Sequence, residues 1–212
     1  MALTKLRTPG PGLRAEWTAR PRAWLDAAKA SRALAFAAVL AAVLAAGVFA
    51  WSWLRVQNCL RAAEGDNVVA RQEAVAALGR LGARGALPLL ERLAADASLD
   101  EATRRVAVAA LGDVGAASSL DVLVKLLDAP EPSLVEAAAV ALGRLKDGRA
   151  VGPLVRVARE KRARLAVLWS LGAIGDPRAV PLLNLELSDP DVYVAYNARQ
   201  ALRRIAGQQD GY

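Results

Sequence analysis

The chain has 212 residues, 55% hydrophobic but only 5% aromatic, with 28 basic and 21 acidic side chains, no histidine and a single cysteine, Cys59. Those counts exclude histidine acid–base chemistry, His-containing metal sites, cysteine zinc clusters and an internal disulfide framework. The net charge of +7 is unevenly spread: residues 1–32 hold seven basic and two acidic groups, whereas 66–212 hold nineteen and eighteen.

Residues 1–32 place Pro9, Pro11 and Pro21 among small residues and charges, which predicts a basic, largely disordered tail. Trp17 and Trp24 suit a membrane surface. Residues 33–54 then run for 22 positions without a charge. At ~1.5 Å per residue a helix of that length spans roughly 33 Å, enough for a hydrocarbon core, so it reads as one transmembrane helix with Trp51 and Trp53 at its exit. The long preceding segment and the length of the apolar run favour an uncleaved signal anchor over a cleaved signal peptide. Arg20, Arg22, Lys29 and Arg32 precede the span, while Arg55 and Arg61 follow it and are offset by Glu64 and Asp66. The positive-inside rule puts the N-terminus in the cytoplasm; in a bacterium the span sits in the inner membrane and the rest of the chain in the periplasm. Ala37, Ala41 and Ala45 offer a close helix–helix contact and a route to a homodimer, although an Ala-rich run also produces that spacing by accident.

Residues 55–67 read as a short helical connector capped by Asp66 or Asn67, which holds the remainder of the chain close to the bilayer. Beyond it one pattern recurs. Leu-Gly pairs stand at Leu78, Leu111, Leu142 and Leu171, and an altered copy is Leu202-Arg203, at spacings of 33, 31, 29 and 31. Each period reads as a helix, a tight turn and a second, shorter helix. The first helices are predicted over 68–81, 101–114, 133–145, 161–174 and 191–205, the second over 86–95, 119–128, 150–160 and 179–187. The position before each repeat Leu is Ala77, Ala110, Ala141, Ser170 or Ala201, small enough for helices of adjacent repeats to touch. No single hairpin buries its apolar stripe alone, so the prediction is an all-α, α–α superhelical solenoid of about four and a half repeats over 68–206, followed by a short tail, 207–212.

The stretch LGAIGDPRAVPLL at 171–183, with Ser188-Asp-Pro-Asp191 after it, closely resembles HEAT-like repeats of the kind found in phycobilisome lyases. The resemblance implies a superhelix whose second helices line a concave surface that binds other macromolecules. The copies are imperfect: Lys146 replaces the second turn Gly, Ala116–Ser119 lacks the Asp-Pro-x-Ala turn, and the last copy has no second helix.

Three groups are candidates for recognition. Arg92, Lys125 and Arg156 recur on the second helices fourteen residues after the repeat Leu and, with Arg159, form either a basic ladder or an ordinary solvated face balanced by Glu91 and Asp128. A second basic cluster, Arg156 to Arg164, falls at a turn between repeats. Leu165 and Trp169 are four apart and share a helix face; with Tyr193 and Tyr196 they predict an apolar docking patch, unless a neighbouring helix or the tail covers Trp169. Asp147, Arg149, Asp176 and Arg178 read as turn caps and pairs between repeats.

The sequence therefore predicts a membrane-anchored scaffold or adaptor that binds a partner protein through the concave face or the C-terminal patch. It predicts no cofactor, no metal, no nucleic acid and no enzyme, the last because neither histidine nor a convincing catalytic group is present. The scarcity of aromatic residues leaves little to stack bases. The rival reading, which the resemblance allows, is a chromophore-attaching lyase or another enzyme-associated HEAT-repeat protein. HEAT-like metal hydroxylases need His-Glu pairs, which this sequence lacks.

Overall fold

The structure, a computed structural model, describes residues 40–48 and 50–207, and the chain divides into two units, Met1–Leu54 and Arg55–Tyr212. The predicted tail over 1–32, the first part of the predicted span and residues 208–212 lie outside the described residues.

Helix α1 runs Leu40–Ala63 and is long and apolar enough to cross a bilayer by length and composition. From 40 to 54 every described side chain is exposed, Val48 to 68% and Trp51 to 63%. Residues 55–63 belong to the second unit, where Val56, Cys59 and Leu60 pack on its core and Ala63 is fully buried.

The second unit is a two-row stack. The A row comprises α2 (Val68–Arg80), α4 (Glu101–Val114), α6 (Pro132–Leu145), α8 (Arg164–Ile174) and α10 (Val192–Ile205). The B row comprises α3 (Leu87–Ala95), α5 (Leu120–Leu126), α7 (Val151–Arg159) and α9 (Val180–Glu186). Consecutive A helices pack side by side, and each B helix packs chiefly on the A helix that follows it. The repeat leucines Leu78, Leu111, Leu142 and Leu171 are fully buried, as are Leu90, Leu123, Leu154 and Leu183 twelve residues later. One apolar layer thus runs between the rows, and each repeat supplies its leucines to it.

Helix starts follow local chemistry. Asn67 accepts a hydrogen bond from the Ala70 amide and Asp100 from the Thr103 amide, each satisfying a free donor of the first turn. Helix ends use the left-handed conformation: Gly115 (φ 66°) and Gly175 (φ 76°) end α4 and α8, whereas Lys146 (φ 54°) ends α6. The fourth A helix starts later than the predicted 161, at Arg164, because Lys161 (φ 57°) and Ala163 (φ 44°) are left-handed and cannot continue a helix.

Arginines tie repeats together where helices leave carbonyls without partners. Arg162 donates to the Leu127 and Ala129 carbonyls at the end of α5, and Arg71 donates to the Gly65 carbonyl at 2.7 Å. Arg104, 7% exposed, donates to Glu131 at 2.8 Å. Arg164 pairs with both Glu186 and Asp189. In the turns, Asp147 and Asp176 accept from the amides of Arg149 and Arg178, and Arg178 reaches back to the Gly148 carbonyl at 2.7 Å. These four turn residues act as caps and as a tie between repeats.

The stack has a polar last face. Three residues before the repeat Leu, Val75, Val108, Ala139 and Leu168 are fully or almost fully buried, but α10 carries the exposed Arg199 there. Arg203 stands where the other copies have the buried Gly79, Gly112, Gly143 and Gly172. Two long charged side chains on that face give α10 the character of a capping helix.

Candidate partner interface

The ladder positions all lie on the B row and all are exposed, yet two of the three are paired with carboxylates. Arg92 on α3 pairs with Glu64 at 3.1 Å, and Arg156 on α7 pairs with Asp128 at 2.8 Å and Glu160 at 3.4 Å. The hydrogen bond that Arg156 donates to Asp128 is the main cause that raises the Arg156 pKa, and the same contact lowers that of Asp128. Lys125 and Arg159 stand exposed on the same row. The B row is therefore closer to charge balance than its cations alone suggest.

Four grooves of the second unit lie elsewhere. They are lined mainly by A-row side chains, joined in one by Asn58, Cys59 and Ala62 of α1, on the side that the resemblance does not assign to binding. The reason is the small-residue seam: Gly and Ala at the helix contacts bring the A helices close and leave their outer faces shallowly channelled.

The predicted apolar group is split among these grooves. Trp169, half-buried on α8, and Tyr196, 57% exposed on α10, line one groove of about 1020 Å³ across α6, α8 and α10. Leu165 lines a neighbouring depression of about 340 Å³ with Val194. Tyr193, 72% exposed, lines neither, and Val192 and Leu185 are exposed at the same end of the stack. Trp169 is neither free nor fully covered; it forms a wall.

Sequence reasoning missed the cations of that groove: Arg144, Lys146, Arg203 and Arg204 line it beside the two aromatic rings. The available signal was position, since each lies within the last turn of an A helix or just after it. Read singly, each looks like a basic residue answering a helix dipole.

Among the described residues no group of three or more His, Cys, Asp or Glu side chains is arranged to hold a metal ion. Cys59 is a free thiol, half-buried in the lining of the groove between the end of α1 and α2.

Comparison with known proteins gives kinship and corrects one expectation. Human deoxyhypusine hydroxylase is 38% identical over 71 residues, which cover 32% of this chain and 24% of that protein. Its solved structure matches with TM-score 0.52 at 26% identity, over 64% of this chain and 50% of that one. The complex of CpcE and CpcF of phycocyanin lyase from Nostoc sp. PCC7120 matches with TM-score 0.66 at 25% identity, over 72% of this chain and 65% of that one. The sequence match thus spans about a quarter of the human protein's length. The expectation that this chain is no enzyme does not stand, because its relatives include proteins named as enzymes. A missing histidine removes one residue type from acid–base work and leaves carboxylates and a thiol, so it never carried that conclusion.

The family model for HEAT repeats matches at residues 56–141, 94–164 and 136–203, overlapping spans that follow the stack from the end of α1 to α10. The chain belongs to the HEAT-repeat family.

Proposed function

We propose that this chain is a membrane-anchored HEAT-repeat adaptor that holds a partner protein along the grooved, A-row side of its stack. The observation that carries the reading is the groove of about 1020 Å³ in which Trp169 and Tyr196 face one channel from successive A helices. Rigid aromatic side chains in a concave site are the usual energetic anchors of protein interfaces. The anchor is the apolar segment 33–54, whose described side chains are exposed. On the charge of its flanks the N-terminus lies in the cytoplasm and the stack outside, periplasmic in a bacterium.

The test is site-specific photo-crosslinking in cells from Gln200 in the groove and, separately, from Arg92, Lys125 and Arg156 on the B row. The expected result is a protein captured from Gln200 and lost on Trp169→Ala, with the helical circular dichroism unchanged. Capture only from the B row overturns the reading. A reporter fused after Tyr212 tests topology, and activity of the cytoplasmic type alone reverses the orientation.

A second reading has its own support: likeness to two proteins named as enzymes or parts of them favours a stack that serves a catalysed reaction. Covalent attachment of a chromophore to a phycobiliprotein acceptor, dependent on the purified chain, is the outcome that would favour it.

A further inference from the structure

We propose that the groove formed by the C-terminal turns of α6, α8 and α10 takes an extended, acidic segment of the partner, with an apolar side chain of that segment against Trp169 and Tyr196. The inference rests on the adaptor reading above and specifies the chemistry of what docks.

Charge separates this groove from the others. Its lining includes Arg144, Lys146, Arg203 and Arg204 and not one acidic residue. The groove beside α2 sets Glu73 against Arg80, and the middle one sets Glu136 against Arg105 and Arg144. The depression at Leu165 sets Glu136 and Asp191 against Lys161 and Arg164. Among these four grooves, three are mixed in sign and this one is wholly basic.

Two features of the fold reduce that charge without cancelling it. Arg144 pairs with Asp113, which lies outside the lining. The ends of three A helices meet here, and each brings roughly half a negative charge. Even with Arg203 left out of the balance, the other three cations outweigh one carboxylate and three helix ends by roughly half a charge. A field that stays positive suits a few carboxylates.

The same comparison argues against a nucleic acid. Residues 66–212 carry nineteen basic and eighteen acidic groups, a near-neutral balance that offers little to a regularly charged polyanion. Size fits a short peptide. Adjacent helices lie ~8–10 Å apart, so crossing from α6 to α10 covers about 20 Å, or roughly six extended residues at ~3.3 Å each. A segment with acidic side chains toward the helix ends and one apolar side chain toward the rings matches both halves of the site.

The test uses the full-length chain in detergent micelles and fluorescence anisotropy of labelled probes at about 50 mM and about 300 mM salt. The probes are a Glu-rich peptide with a central Leu, its counterpart with every Glu replaced by Gln, and an oligothymidylate of similar length. The Glu peptide is expected to bind at least about tenfold more tightly than the Gln peptide at the lower salt, with the difference shrinking at the higher. Lys146→Gly with Arg204→Gln should weaken it about tenfold, and Arg92→Gln with Arg156→Gln should leave it unchanged. The Lys146 change relieves a left-handed residue, so lost binding there does not reflect unfolding. Equal binding of the Glu and Gln peptides, an equal loss in the B-row variant, or tighter binding of the oligothymidylate each overturns the proposal. If Gln200 still captures a protein while the Glu peptide shows no preference, the acidic chemistry fails and the adaptor reading stands; if capture fails as well, both fall.

Discussion

A methyl group built on Gly112 would lie 2.8 Å from the Cα of Ala141, closer than van der Waals contact allows, so α4 and α6 meet with no room for a side chain between them. The same contact recurs as Gly79 on Ala110, Gly143 on Ser170 and Gly172 on Ala201. One seam of glycine against a small residue therefore sets the spacing of the whole A row, and the grooves that carry the proposed function are its outer surface. Gly112→Ala should destabilise the chain by about 1–3 kcal/mol, because backbone must shift to admit the methyl group. Gly152→Ala, in a helix and with nothing within 4 Å of the new atom, should instead stabilise by about 0.5–1 kcal/mol. Urea midpoints of the two variants check this; equal shifts in one direction would deny the seam its role.

Lys146 ends α6 in the conformation that glycine takes at Gly115 and Gly175. Lys146→Gly removes the Cβ contact that left-handed backbone imposes, and part of that gain is offset by glycine's greater freedom when unfolded. The expected net is about 0.5–1 kcal/mol of added stability, read as a higher urea midpoint.

Acid should loosen the turns between repeats. The Arg178 guanidinium, and then its backbone amide, hold the Asp176 carboxyl at about 2, below the ordinary 3.8. A carboxyl lowered in the folded state contributes stability that is complete above about pH 4 and lost as pH falls toward about 2. Asp147, against Arg149, is shifted in the same direction. Asp176→Asn should therefore lower stability near neutral pH and flatten its fall between about pH 4 and 2, as measured by urea midpoints across that range. An unchanged pH slope would show that the pair does not persist in solution.

Arg104 and Glu131 form the most buried pair that links consecutive A helices, with side chains 9% and 29% exposed. Arg104→Ala leaves a carboxylate facing the interior. Because Glu131 keeps some solvent, the expected loss is about 2 kcal/mol, less than the ~3–5 kcal/mol of a fully buried pair. Thermal melting of Arg104→Ala beside Glu131→Gln checks the asymmetry, with the smaller loss expected for Glu131→Gln.

Local sequence determined the repeat. The period of the Leu-Gly pairs, the small residue before each Leu and the apolar layer between the rows follow from short-range pattern, because hairpins too small to bury their own stripe must stack. The late start of α8 was less legible: nothing in Lys161 or Ala163 as residue types announces left-handed backbone, which the turn geometry imposes. The ladder was readable as positions but not as charge, since Glu64 and Asp128 stand 28 residues earlier in the chain in each case. The basic groove was invisible for the same reason. Arg144, Lys146, Arg203 and Arg204 are up to sixty residues apart and become one field only when α6 and α10 are set two helices apart. Periodicity along the chain thus decided what is buried, because burial repeats with the helix pair. Which charges meet on the surface was left to the stacking of one pair on the next.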